Sequence, residues 1–105
     1  MNPEFTQHFK NLPSSIQNLL KFVISEIQPE QIILFGSRAR GTHRPTSDFD
    51  IAVKKTDMPA SPWAKVLVAL DDEAYTLYKI DLVHYEKLDN SYVRNITKEG
   101  VLIYG

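Results

Sequence analysis

The sequence predicts a small α/β (α+β) fold, a mixed β-sheet packed by helices. Three observations carry this. Short apolar runs bounded by turn residues alternate with longer stretches of helical periodicity. Their order along the chain is α-β-(short α)-β-α-β-α. Of the 105 residues 43% are apolar and 10% aromatic, enough to build one packed core. At this length a single domain spanning residues 1–105 is expected, with residues 1–12 a polar lead-in, ordered or flexible.

The elements follow in sequence. Leu12-Pro13-Ser14-Ser15 reads as a helix start with Ser14 as the cap. Ile16, Leu19, Leu20, Val23 and Ile27 then recur at helical spacing, and Pro29 ends the helix. Gln31 to Phe35 is a short apolar run stopped by Gly36, hence a buried strand. A tight turn, one helical turn around Ser37 to Arg40 and a loop to residue 47 come next. Asp48 to Val53 forms a second strand, with Asp48, Asp50 and Ala52 on one face and Phe49, Ile51 and Val53 on the other. After a Pro-rich loop, Trp63, Val66, Leu67, Leu70, Ala74 and Leu77 mark one side of a longer helix. Lys79 to Tyr85 is a third strand. Asp89 or Ser91 caps a last helix carrying Tyr92, Val93 and Ile96, Gly100 follows its end, and Val101 to Tyr104 forms a short terminal strand.

Composition narrows the function classes. Twelve basic and 13 acidic residues leave a net charge of −1, not the basic surplus of a generic nucleic-acid coat, so direct DNA binding is not expected. With no cysteine, disulfides, thiolate zinc sites and cysteine nucleophiles are excluded. No run of eighteen apolar residues occurs, so no membrane span is expected. MNPEFTQHFK lacks a basic-then-apolar signal pattern, and a cytoplasmic location is the expectation.

The chemistry concentrates in Phe35-Gly36-Ser37, ten residues, then Asp48-Phe49-Asp50. A strand ending in Gly-Ser presents backbone amides and a hydroxyl, and glycine lets another group approach closely. Turn amides suit phosphate. Asp48 and Asp50 lie two residue rises apart, roughly 6.5–7 Å along one strand face, and can both reach a hard cation. Asp81, set between Ile80 and Leu82, joins them if the third strand neighbours the second. Two carboxylates ~5 Å apart at an effective dielectric of ~20 repel by roughly 3 kcal/mol. Three of them call for a divalent cation or a retained proton. Such a cluster facing a phosphate-binding turn describes a nucleotide–Mg²⁺ site.

Gly36-Ser37-x10-Asp48-x-Asp50, with Asp81 on a later strand, resembles the DNA polymerase beta-like nucleotidyltransferase superfamily. The wording Phe-Gly-Ser-Arg-Ala-Arg-Gly and Ser-Asp-Phe-Asp-Ile-Ala-Val is most similar to the minimal nucleotidyltransferases. Those include the MntA-type antitoxins, which are paired with HEPN-domain toxins. The resemblance spans about residues 16–104. It implies the nucleotidyltransferase fold, with Gly36 and Ser37 holding the phosphates of a nucleoside triphosphate. It implies that Asp48, Asp50 and Asp81 are catalytic and bind two Mg²⁺ ions, Asp81 also helping to take the acceptor's proton. ATP would be the donor, AMP the transferred group and pyrophosphate the leaving group. The two metals would stabilise the entering and departing oxygens. By the same resemblance the partner is a HEPN toxin, the acceptor its tyrosine hydroxyl, and the chain the antitoxin, in a homo- or hetero-oligomer left open.

Plainer readings stand beside these. Gly-Ser after a strand is often only a turn, and gains force here from the two aspartates at a matching distance. An EF-hand reading fails, because Ala52 and Val53 fall where a ligand and a glycine are needed. Asp81 is either the third acid or a solvated strand residue paired with Lys79. Arg38 and Arg40 flank the turn and either bind triphosphate oxygens or belong to a solvated loop. His84 reads as packed or half-buried, and the Trp63 stripe as core. Two rival functions remain: a non-catalytic nucleotide-binding module that neutralises a toxin by contact, and a small-molecule (antibiotic) nucleotidyltransferase. The latter lacks room for a drug pocket in a chain this short.

Overall fold

The computed structural model describes residues 3–72 and 76–105. Its centre is a four-stranded mixed sheet of β1 (Gln31–Phe35), β2 (Phe49–Lys54), β3 (Ile80–His84) and β4 (Val101–Tyr104), in the order β3-β2-β1-β4. β1 pairs antiparallel with both β2 and β4, and β2 pairs parallel with β3. The helices are α1 (Gln7–Lys10), α2 (Ser14–Ile27), α3 (Ser37–Arg40), α4 (Ala60–Leu70) and α5 (Asn90–Glu99), with a 3-10 turn at Tyr85–Lys87.

The alternation of β2 sorts the sheet into two unequal faces. Phe49, Ile51 and Val53 meet Ile16, Leu20, Val23 and Ile27 of α2 and Val66 of α4 in the main core. Each fully buried aliphatic side chain there contributes roughly 1.5–3 kcal/mol, so this face dominates the stability. On the opposite face Ala52 packs with Phe35 and with Ile96 of α5 in a smaller cluster. Asp50, and Asp81 beside it on β3, belong to this thinly covered face by alternation, while Asp48 precedes β2. An acid there keeps contact with water, which the α2 face would deny it.

The start of the chain is part of the fold. Phe5 bridges Tyr104, Thr6 N–H donates to the Ile103 carbonyl at 2.9 Å, and Phe9 and Leu12 are buried in the main core. Ser14 is not the cap of α2. Pro13 takes that position, its carbonyl accepting from Gln17 N–H at 3.0 Å, while Gln17 Nε2 reaches back to the Leu12 carbonyl at 2.8 Å. Asp89 does cap α5, its carboxylate accepting from the Ser91 and Tyr92 amides.

The fourth helix is shorter than its apolar pattern. It ends at Leu70, where Asp71 and Asp72 begin an acidic run. Negative charge at a helix C-terminus opposes the helix dipole and favours termination. Trp63 and Leu70 pack against the main core, whereas Leu67 is partly exposed and Leu77, beyond the helix, is 86% exposed. Ala74 lies outside the described residues. Among the described residues no helix is long and apolar enough to cross a membrane.

Candidate nucleotide and metal site

The site is built at the end of β1 and the start of β2. Antiparallel register sets Phe35 opposite Asp50, so the next residue, Gly36, turns directly beside the Asp50 side chain. Gly36 takes φ 76° and ψ −159°, a region essentially reserved for glycine. A Cβ at this position would collide with Asp50 Oδ2. Ser37 opens α3, which is held by the Gly36 carbonyl accepting from the Ala39 and Arg40 amides, each at 3.1 Å. The glycine-serine bend and the second aspartate are therefore one packed unit.

Parallel register sets Asp50 beside Asp81. Neighbouring strands lie about 4.8 Å apart, so these two acids are close neighbours across the sheet. Asp50 is half-buried and its carboxyl is held above the usual range. Burial is the main cause, repulsion from Asp81 and then Asp48 adds to it, and Arg40 opposes it. The three acids thus share one electrostatic environment. Asp48 also faces a cation the sequence reading did not assign to it: Lys79 Nζ lies 3.9 Å from its Oδ2. Sequence adjacency suggests Lys79 as a partner of Asp81 instead. Parallel pairing of Phe49 with Ile80 brings the residues just before each strand together, so Lys79 meets Asp48.

Among the described residues no three acidic or histidine side chains form a preassembled metal cage. The donor set still fits a hard divalent cation. It consists of carboxylate oxygens alone, and one of them is destabilised by its acidic neighbours, a cost such an ion would relieve.

The two arginines are engaged. Arg40 Nη1 donates to Glu99 Oε1 of α5 at 2.9 Å, within a half-exposed ion pair. The Arg38 guanidinium lies over the Phe49 ring at 4.1 Å. Its Nε and Nη2 donate to the Ser47 carbonyl at 3.3 and 3.0 Å, and Nη2 also donates to the Pro45 carbonyl at 3.2 Å. No spacing rule reveals these partners, because they depend on the path of the loop.

Two clefts flank the site. One, of about 390 Å³, is bounded by Pro45–Asp48 on one side and Leu77, Tyr78 and Lys79 on the other. It opens beside Asp48. The second, of about 380 Å³, lies on the α2 side behind α3, against His8, Leu34, Ala39 and Phe49, and includes none of the three acids.

The family model described as polymerase beta, nucleotidyltransferase matches residues 17–105. The chain belongs to this family of nucleotidyltransferase domains. No curated protein matches it at a significant level. Among solved structures, a toxin–antitoxin complex with AMP-PNP contains a chain 28% identical, with a TM-score of 0.57, covering 84% of this chain and 68% of that one. A complex of the tri-AMPylated Shewanella oneidensis HEPN toxin with its MNT antitoxin is similar at 25% identity and a TM-score of 0.51, covering 91% and 69%. A minimal nucleotidyltransferase, 22% identical with a TM-score of 0.66 over 91% of this chain and 98% of that one, shares the fold.

Proposed function

We propose that this chain is a Mg²⁺-dependent adenylyltransferase that transfers AMP from ATP to a tyrosine hydroxyl of a HEPN-type toxin and so acts as its antitoxin. One observation carries the reading most directly. The Gly36 backbone packs against the Asp50 side chain, whose carboxyl is raised by burial and then by Asp81 and Asp48, so the glycine-serine bend adjoins an acid that feels both of the others. The family supports the reaction class. The similar complexes, one with AMP-PNP and one holding a tri-AMPylated toxin, support the donor and the partner.

In this reading the amides at Gly36 and Ser37 orient the triphosphate. Asp48, Asp50 and Asp81 hold the divalent ions, which supply charge neutralisation at the transferring phosphoryl group when bound. Asp81 takes the proton of the incoming hydroxyl, a role supported by its exposure on the edge strand. The acceptor oxygen bonds to the α-phosphorus, and the bond to the pyrophosphate oxygen breaks.

The test is the intact mass of a HEPN partner after incubation with this protein, ATP and Mg²⁺. Mass gain in AMP units is expected, and its absence would overturn the proposal. The contact-only alternative is separated by the double variant Asp48→Asn, Asp50→Asn. Loss of neutralisation with partner binding retained supports catalysis, and full neutralisation by the double variant refutes it.

A further inference from the structure

Arg38 joins α3, the loop before β2 and the Phe49 ring. It is carried by α3, next to Ser37. Its guanidinium binds the carbonyls of Pro45 and Ser47 in the loop that delivers Asp48. Its flat face covers Phe49 at 4.1 Å and stands 5.7 Å from Tyr78, which packs edge-on to Phe49 at 5.3 Å. Ser47 and Phe49 are the residues on either side of Asp48. One is bonded by Arg38, the other is stacked under it, and the Phe49 amide is fixed to the Lys79 carbonyl at 2.9 Å.

Arg40 is the cation that opposes the rise of the Asp50 carboxyl, and Arg38 is turned to the loop instead. The groups Arg38 binds are neutral carbonyls, which demand a planar fork more than a positive charge. A lysine would keep the charge and lose both the fork and the stacked plane.

We propose that Arg38 is a positioning residue for Asp48: it pins the 45–49 segment against the glycine-serine bend and makes no contact with triphosphate. This rests on the reading of Asp48 as a cation ligand, and its test is divided so that the two can fail separately. The first readout needs no ligand. Hydrogen exchange of the amides of residues 46–50 is compared among wild type, Arg38→Lys and Arg38→Gln. Both variants are expected to exchange faster in this segment while α2 keeps its protection. Unchanged exchange would overturn the pin.

The second readout is calorimetric binding of ATP, with and without Mg²⁺. The Mg²⁺ concentration needed for half-maximal effect should rise roughly tenfold in both variants, the scale typical of groups that orient metal ligands. Affinity for ATP in the absence of Mg²⁺ should not change. If Arg38→Gln weakens cation-free ATP binding and Arg38→Lys restores it, Arg38 is a phosphate ligand and the proposal is wrong. If wild type itself binds no ATP, the reading of the site fails while the exchange result still judges Arg38. Should both variants unfold, Tyr78→Ala, at a partly exposed ring of the same stack, is read by exchange in the same way. Unaltered exchange there would overturn the proposal.

Discussion

Gly36 and Asp50 occupy adjoining space so tightly that the missing Cβ of one is the room taken by the carboxylate of the other. The two residues are fourteen apart in the chain and are brought together by the β1–β2 register. Backbone conformation and acid placement therefore cannot be varied independently.

Gly36→Ala should accordingly damage stability and site together. The φ of 76° with extended ψ costs a residue with a Cβ about 1–3 kcal/mol, before any displacement of Asp50. A Tm lower by about 5–15 °C is expected for a domain of this size. Mg–ATP binding should fall to background in calorimetry at temperatures where the variant is still folded. Retention of wild-type binding would show that Asp50 has another position available.

Asp50→Asn should stabilise the protein in the absence of ligand. The folded-state carboxyl is raised, so the folded protein holds a proton that the unfolded chain releases. Stability therefore declines as pH rises from the ordinary aspartate value through the raised one, and the loss is complete above it. At neutral pH the variant should melt higher than wild type in thermal denaturation, a gain that vanishes below both values. It should also lose Mg–ATP binding, giving opposite signs for stability and function.

Arg40→Gln removes a cation that holds the Asp50 carboxyl down. The carboxyl should rise further, and the acid limb of the pH profile for Mg–ATP binding should move to higher pH. Arg40 is also paired with Glu99, so Glu99→Gln is the control for the lost ion pair. If both variants shift the limb equally, the effect comes through α5 and not through Asp50.

Asp89→Ala tests the fold away from the site. The Asp89 carboxyl is lowered, chiefly by the Ser91 side chain and then by the Tyr92 amide, as it caps α5. Its contribution is present above the ordinary aspartate value and is lost as pH falls through the depressed one. The variant should melt lower at neutral pH by thermal denaturation, converge with wild type in acid, and bind Mg–ATP unchanged.

Most of the fold is legible in local pattern. β1 is a five-residue strand with four apolar residues in a row closed by glycine, and α2 shows five apolar residues at helical spacing, so each announces both its type and its buried side. Asp50 is legible for the same reason, since strand alternation sets it opposite Phe49 and Ile51, whereas Asp48, read as part of the strand, precedes β2. Asp81 becomes legible only through pairing, because its neighbour across the sheet is fixed by the parallel register with β2. The end of α4 was hidden by Leu77, which keeps the helical phase although the acidic residues after Leu70 stop the helix first. Arg38 was hidden more deeply. Its partners are backbone carbonyls, which every residue carries, and a sequence gives no sign of which ones a side chain will find.

The strand order also dictates when the molecule can close. β1 lies between β2 and β4, yet β4 comes last in the chain and is bridged in turn by Phe5 from its beginning. During synthesis β1 and β2 can pair early, but the Ile32–Leu34 edge stays open until residues 101–104 have emerged. A chain cut short before Val101 would carry a bare, apolar β-edge at its centre, the kind of surface on which nascent chains stick to one another.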